Sequence, residues 1–410
     1  MSRTPPTAGR VAMVSEHASP LAALGGPDAG GQNVYVAHVA RQLARKGYRV
    51  TVYTRRDSTG LPDRVTLIDG VQVVHVPAGP PAPVPKDELL PHMAEFGSFL
   101  ARQWALEPPD VVHAHFWMSG LAALVGSRGL GLPVVQTYHA LGTVKKRYQG
   151  ADDTSPAERL VVEEAIGHEC AAIVATCSDE VSELKAMGLS EDRITVVPCG
   201  VDPDHFAPVG RPRTAAGRRR LLAVGRLVPR KGFDRAIRAL AGVPDAELLV
   251  AGGPEADLLG AEPEAERLCG IAGEYGVADR VTLLGGVGRA RMPRLMSSAD
   301  LVLSLPRYEP FGIVPLEAMA CATPVVATAV GGQLDTVVDG ATGVLVPADD
   351  EHDLGAVIRD LLADPDRLAR YGAAGRERVL AHYTWDRVAD GVAGAYGAVS
   401  SIPSLSGVVR

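Results

Sequence analysis

Between Arg10 and Thr54 the chain alternates in a way that few folds accommodate: a short apolar strand, a glycine-rich loop, an amphipathic helix and a second strand. Val11-Ala12-Met13-Val14 is the apolar run, and Gly25–Gly31 is the loop. In the helix expected over Gln32–Lys46, Val34, Val36, His38, Val39, Leu43 and Ala44 fall mainly on one side, and Gly47 supplies a stop. Tyr48–Thr54 resumes as strand. Strand, helix, strand is a βαβ unit, which implies a parallel sheet. The same succession restarts with strand Leu221–Val224, loop Gly225–Gly232 and helix Phe233–Leu240. The stretch 209–217 before it is polar and basic with proline and glycine, as a linker would be. A chain of 410 residues is long for one core. The reading is α/β with two domains, and no internal repeat is visible in the sequence.

Composition narrows the function classes. A 46 % hydrophobic content suffices for burial, and the net charge of −7 comes with no long block of either sign. That argues against nucleic acid as a partner, because phosphate binding draws on a basic patch. Arg218-Arg219-Arg220, a tight basic triplet, reads as a solvated linker end. Five cysteines without a C-x-x-C point away from a disulfide framework or structural zinc and toward a reducing cytoplasm. Val11–Val14 is too short for a signal-peptide core, and no run of about eighteen apolar residues suggests a membrane helix.

Further along, a proline-rich connection (Ala78–Pro85) leads to Lys86 and Asp87, which open a helix. The strand Asp110–His115 carries His113 and His115 at a spacing of two, hence on one face. A metal pair there would need further ligands. A strand end facing a ligand crevice accounts for both, because open parallel sheets bind at their C-terminal strand ends. Strand Leu132–Tyr138 ends at His139; helix Ser155–Cys170, strand Ile173–Ser178, helix Glu180–Met187 and strand Arg193–Pro198 complete the first half. In the second half, strands Glu247–Ala251, Val281–Leu284, Leu301–Leu305 and Val325–Ala329 alternate with helices, and a helical region runs to Gly397.

Two stretches carry the chemistry. PRYEPFGIVPLEAMACATP (Pro306–Pro324) follows a strand with a proline- and glycine-rich loop, then the helix Ile313–Ala322. It sets Glu309 in the loop and Glu317 near the helix start, seven residues between them. Carboxylates accept hydrogen bonds from sugar hydroxyls, and the free N–H groups of a helix start favour anions and hydroxyl oxygens. The second stretch, GRLVPRKGF, would aim Arg226 and Lys231 at one point near a helix start, one ion pair and an exposed lysine being the blander alternative. The loop Gly25–Gly31 is neither a dinucleotide fingerprint nor a P-loop, since no G-x-G-x-x-G opens the helix and no G-K-[ST] follows.

Taken with their surroundings, these strings resemble the retaining nucleotide-sugar glycosyltransferases of family 4. The resemblance spans nearly the whole chain: the G-x-D-A-G-G-Q-N-V-Y-V loop, the T-x-H-x-L-x-x-x-K block ending at Lys145, a PxGVD-type turn at Pro198–Asp202, the G-R-x-x-x-x-K-G block and the E-x7-E block. The loop wording is similar to that of sucrose-phosphate synthases and mycothiol-pathway glycosyltransferases. The resemblance implies a GT-B fold, two Rossmann-like domains facing across a cleft. It places an acceptor domain at 1–208, a nucleotide-sugar domain at 219–385 and a crossover helix, 386–410, packing back on the first. It further implies that Gly30, Gly31, Arg226 and Lys231 meet the donor diphosphate. Glu317 would take the ribose, and Glu309 with the backbone of Phe311, Gly312, Ile313 and Val314 the sugar. His139 would lie beside the transferred sugar and Asn33 near the acceptor. Arg226, Lys231, Glu309 and His139 form the expected catalytic set.

In the mycothiol-pathway enzymes an acceptor phosphate is held by lysine, tyrosine, threonine and arginine. Lys86 and Arg159 match, whereas Phe116 stands at the tyrosine position and Ala140 at the threonine position. The expected activity is transfer of a hexosyl unit, of glucose or N-acetylglucosamine type, from a UDP-sugar to a polyol, cyclitol (phosphorylated or not) or natural-product aglycone. A GDP- or ADP-sugar donor and a GT-B sugar-nucleotide epimerase are the alternatives. No cofactor is required, magnesium on the diphosphate and a homodimer remain compatible with the sequence, and the expected setting is cytoplasmic.

Overall fold

A computed structural model describes residues 8–22, 30–210, 217–348 and 353–400; Gly25–Ala29 of the glycine loop lie outside them. The chain divides into two compact units, one running to Pro198 and resuming at Trp385, the other Cys199–Thr384.

The first unit is built on eight strands: β1 (Gly9–Val14), β2 (Tyr48–Arg55), β3 (Arg64–Ile68), β4 (Val71–Val76), β5 (Val111–His115), β6 (Val134–Thr137), β7 (Ala172–Ala175) and β8 (Ile194–Val196). Their order is β3-β4-β2-β1-β5-β6-β7-β8, parallel except for β3, which pairs antiparallel with β4. Strand order reverses beside β1, so the C-terminal ends of β1 and β5 flank a topological switch point, where open α/β sheets hold ligands. Strand β5 is buried at every position, as expected of a central parallel strand covered on both faces. One layer packs helices Met93–Leu106 and Trp117–Ser127 through Phe96, Leu100, Trp104 and Ala122. On the other, helix Gly31–Arg45 meets the last helix, Trp385–Val399: His38 stacks on Trp385 at 4.8 Å, and Lys46 reaches Asp386 and Asp390 at 2.7 Å each. The chain thus returns to the unit in which it began.

The second unit carries β9 (Arg219–Val224), β10 (Ala246–Ala251), β11 (Val281–Gly285), β12 (Leu301–Ser304), β13 (Val325–Thr328) and β14 (Gly343–Val346). They lie parallel in the order β11-β10-β9-β12-β13-β14, which places a second switch point between β9 and β12. Helix Phe233–Ala241 buries Phe233, Ala236, Ile237 and Leu240, the i, i+3, i+4, i+7 stripe of an amphipathic helix. Each such large apolar side chain contributes about 1.5–3 kcal/mol when buried.

Several expectations change. The segment 199–208, read with the first half, belongs to the second unit, because Val201 and Phe206 are buried in its core and the Val201 N–H donates to the Tyr383 carbonyl at 2.8 Å. Arg219 and Arg220 are strand residues, not a linker end: Arg219 pairs with Asp300 at 3.1 Å and Arg220 with Glu247 at 2.8 Å. Lys86 and Asp87 sit in a 3-10 turn, Lys86–Glu88, and the α-helix begins only at Met93. The helix expected from Ser155 starts at Arg159. The β3–β4 hairpin, β14 and helices Trp117–Ser127 and Gly142–Gln149 are additions.

Candidate active site

In the first unit the C-terminal ends of β1, β5 and β6 deliver Glu16 and His17, His115 and Phe116, and His139, respectively. Two of these residues hold a backbone conformation unusual for a side chain, Phe116 at φ 81° and His139 at φ 61°. Such positions cost about 1–3 kcal/mol each and collect at functional sites. The Phe116 ring is the hub: Lys86 Nζ lies 5.5 Å and the Arg159 guanidinium 5.2 Å from its centroid, and the His17 ring meets it edge-on at 5.0 Å. Three of the four acceptor candidates, Lys86, Phe116 and Arg159, therefore come together.

Arg159 is not a bare cation. Its Nε donates to Glu163 at 2.7 Å, one terminal nitrogen to Ser155 Oγ at 3.1 Å and the other to the Ala140 carbonyl at 2.5 Å. Burial raises the Glu163 carboxyl, against the pull of Arg159, and the first N–H of helix Gly142–Gln149 also donates to it at 2.8 Å. Lys145 is matched in the same way, by Asp153 at 3.0 Å and Asp87 at 3.7 Å. Burial alone would raise the Asp87 carboxyl, but the Thr154 hydroxyl and Lys145, Lys86 and Arg159 bring it below the usual range. Asn33 closes the turn at the helix start: its Oδ1 accepts from the Gly30 N–H and its Nδ2 donates to the Ser19 carbonyl, both at 3.0 Å. Gly30 is the cap and Gly31 the first residue of that helix.

Glu16 and His17 were not anticipated. Glu16 is buried, takes the Ser119 hydroxyl on one oxygen and holds His17 Nδ1 at 2.7 Å on the other. A carboxylate that fixes one ring nitrogen aims the other. The signal was a Ser-Glu-His string directly after a strand, too short to separate from chance. Behind them, His113 bonds Tyr396 Oη at 2.8 Å and Thr137 Oγ1 at 2.9 Å, and His115 Nδ1 lies 3.0 Å from His139 Nε2. Burial lowers the His113 ring to about 3 and holds His115 and His139 well below the ordinary value. His113 and His115 share a strand face as expected, but among the described residues no group of three His, Cys, Asp or Glu is arranged to hold a metal.

In the second unit the ends of β9 and β12 bring the two sequence motifs together. Lys231 Nζ sits 2.5 Å from Glu309 Oε2. Burial lowers the lysine, with Glu309 opposing and Arg230 and Arg226 assisting. For Glu309 burial pushes upward, but Lys231, Arg230 and the Phe311 N–H hold it below the usual range. Of the two cations expected to converge, Lys231 is paired with Glu309, and Arg226 lies close enough to Lys231 to act on it electrostatically. Arg230 also rests on the Tyr308 ring at 5.1 Å. The loop is held by the Arg307 N–H on the Arg230 carbonyl at 2.8 Å and the Thr328 hydroxyl on the Pro306 carbonyl at 2.7 Å. Gly331 is obligatory: its φ is +49°, and a Cβ there would sit 2.1 Å from the Glu309 carbonyl oxygen. Gly312, at φ 69°, caps helix Ile313–Ala320, whose free N–H groups open beside Phe311. Glu317, inside that helix, has Arg289 as its charged neighbour among the described residues, at 3.8 Å, and burial raises its carboxyl to about 7.

Two Rossmann-like units, each with polar side chains gathered at a switch point and a helix start, define a glycosyltransferase of the GT-B class. Residues 29–205 match the Glycosyltransferase Family 4 model and residues 211–378 the model for Glycosyl transferases group 1. The chain is 39 % identical to a D-inositol 3-phosphate glycosyltransferase of Stackebrandtia nassauensis over 95 % of its own length and 91 % of the relative's. It is 37 % identical to that of Mycolicibacterium smegmatis over 96 % and 92 %. The fold matches sucrose-phosphate synthase from Thermosynechococcus elongatus with a TM-score of 0.86 and 31 % identity, covering 95 % of this chain and 98 % of that one. The chain belongs to glycosyltransferase family 4. Among the described residues no helix is long and apolar enough to cross a membrane.

Proposed function

We propose that the chain is a retaining hexosyltransferase that uses a UDP-sugar and a small polyhydroxylated acceptor. The observation that carries this reading is the Lys231–Glu309 pair at 2.5 Å, with Arg230 and Arg226 around Lys231, at the mouth of helix Ile313–Ala320. Loss of a nucleoside diphosphate from an anomeric carbon builds negative charge on the leaving oxygen. Fixed cations and N–H dipoles in a low-dielectric site stabilise that charge without reorganisation. Arg226 and Lys231 hold the diphosphate. Glu309 keeps Lys231 in place, and with the backbone of Phe311, Gly312, Ile313 and Val314 it takes the sugar hydroxyls. Glu317 accepts from the ribose. Gly30 and Gly31 meet the diphosphate, and His139 lies beside the transferred sugar.

The acceptor is bound on the first unit by Lys86, the Phe116 ring and the Arg159 frame, with Asn33 shaping the turn beside it. Relatives named for D-inositol 3-phosphate support a cyclitol. The test is UDP release from UDP-glucose and UDP-N-acetylglucosamine with neutral and phosphorylated cyclitols and polyols, followed by NMR of the product's anomeric proton. Acceptor-stimulated release with an axial product linkage is expected. An inverted linkage, or no release with any acceptor, overturns the reading.

A further inference from the structure

The proposed reaction leaves one acid–imidazole pair unused, Glu16 and His17 at the end of β1. The Glu16 carboxylate is fully buried, with one oxygen taking the Ser119 hydroxyl and the other 2.7 Å from His17 Nδ1. Between a carboxyl and an imidazole the hydrogen stays on the ring, the stronger base of the two. Nδ1 is therefore committed, and Nε2 is the ring position left for a ligand. The ring is 11 % exposed, and among the described residues no hydrogen bond reaches its Nε2. The backbone around it is held on both sides. The Arg55 N–H donates to the Glu16 carbonyl at 3.0 Å, the Ser15 hydroxyl to the Ala18 carbonyl at 2.8 Å and Asn33 Nδ2 to the Ser19 carbonyl at 3.0 Å. His17 meets edge-on, at 5.0 Å, the same Phe116 ring that Lys86 and Arg159 approach. It is also near enough to His139 to act on it electrostatically. The imidazole thus has both the acceptor residues and the residue placed beside the transferred sugar within reach.

We propose that His17 binds the acceptor directly, its Nε2 paired with one ring hydroxyl of a cyclitol, and that Glu16, braced by Ser119, is the positioning residue that aims Nε2 at that hydroxyl. A hydroxyl suits Nε2 in either charge state, donating to the neutral ring and accepting from the charged one. A phosphate suits the charged ring alone. The inference rests on the proposed acceptor site around Phe116 and adds to it the side chain that reads one particular hydroxyl.

The test is calorimetric titration of the full chain, in the presence of UDP, with myo-inositol and its monodeoxy isomers. Wild-type protein is expected to bind several of the isomers about three- to tenfold more weakly than inositol, the net worth of one hydrogen bond. His17→Phe keeps a ring against Phe116 but has no nitrogen. It should bind inositol about three- to tenfold more weakly and lose the penalty for one isomer while keeping the others. Glu16→Ala should erase the penalty for that same isomer, and Glu16→Gln, which keeps an oxygen for Nδ1, should retain it. Tryptophan fluorescence reports whether the first unit of each variant is folded, since all three tryptophans lie there. If Glu16→Ala does not fold, His17→Phe decides alone. A wild-type isomer profile in His17→Phe overturns the inference, as does a loss of affinity spread evenly over all isomers. Phe116→Ala tests the site itself. If it binds inositol as tightly as wild type, or if wild type binds neither inositol nor D-inositol 3-phosphate, the acceptor site has failed, and the inference with it.

Discussion

Glu317 carries a conflict between stability and binding that one substitution exposes. Its carboxyl rises from an ordinary 4.5 to about 7 because burial outweighs the attraction of Arg289 at 3.8 Å. A group whose folded value is raised binds more protons folded than unfolded, so stability falls as pH climbs between the two values. Below about 4.5 there is no cost, and above about 7 the cost is complete. At about 1.4 kcal/mol per unit, that cost has a ceiling of about 3 kcal/mol. The side chain is 13 % exposed, so water brings the true figure under the ceiling. Glu317→Gln mimics the protonated acid and should remove the penalty. The second unit then melts higher at pH 8, by up to roughly 6–12 °C, with the gap closing by pH 5. Calorimetry is the assay, because Trp104, Trp117 and Trp385, the only tryptophans, all belong to the first unit and report on it alone. The same variant should bind the nucleotide donor about 10- to 100-fold more weakly, for loss of a charged hydrogen bond to the ribose. A melting difference that does not change with pH refutes the electrostatic reasoning. A gain in stability with unchanged donor affinity refutes the ribose assignment.

Three further outcomes are expected. Lys231→Ala strands Glu309 as a buried carboxylate and should cost about 3–5 kcal/mol in chemical denaturation; Lys231→Met with Glu309→Gln should restore most of that stability while transfer stays at least a hundredfold down. Phe116→Ala removes the ring beneath Lys86 and Arg159 and should raise the acceptor KM about tenfold while acceptor-independent release of UDP is unaffected. Gly331→Ala drives a methyl into the Glu309 carbonyl and should lower kcat tenfold or more in a protein whose first unit melts as before.

The sequence showed the parallel sheets clearly because their strands are runs such as Val11–Val14 and Leu301–Leu303, apolar on both faces and buried throughout. It was poor where burial erased periodicity. Trp117–Ser127 is apolar or small throughout and shows no stripe, so it passed as connection. The β3–β4 hairpin had a usable signal, Asp69-Gly70 between alternating runs, which the reading did not exploit. In the site, the residue types were legible and their pairings were not. Lys231 and Glu309 stand 78 positions apart, and only the fold makes them one ion pair. Likewise Glu16 and His17 acquire meaning only once Ser119 and Phe116, from the segment that follows β5, are brought to them.

The return of the chain to its first unit bears on the order in which the protein can be made. A ribosome releases β1 through β8 long before it releases Trp385–Val399, and the whole of Cys199–Thr384 is synthesised in between. Until then the first unit lacks Tyr396, the partner of His113, and the indole on which His38 stacks. Its histidine cluster is therefore completed last, after the second unit is free to fold. A nascent chain stalled before Trp385 would hold a finished second unit and an unfinished first, with helix Gly31–Arg45 missing the cover that the final fifteen-residue helix provides.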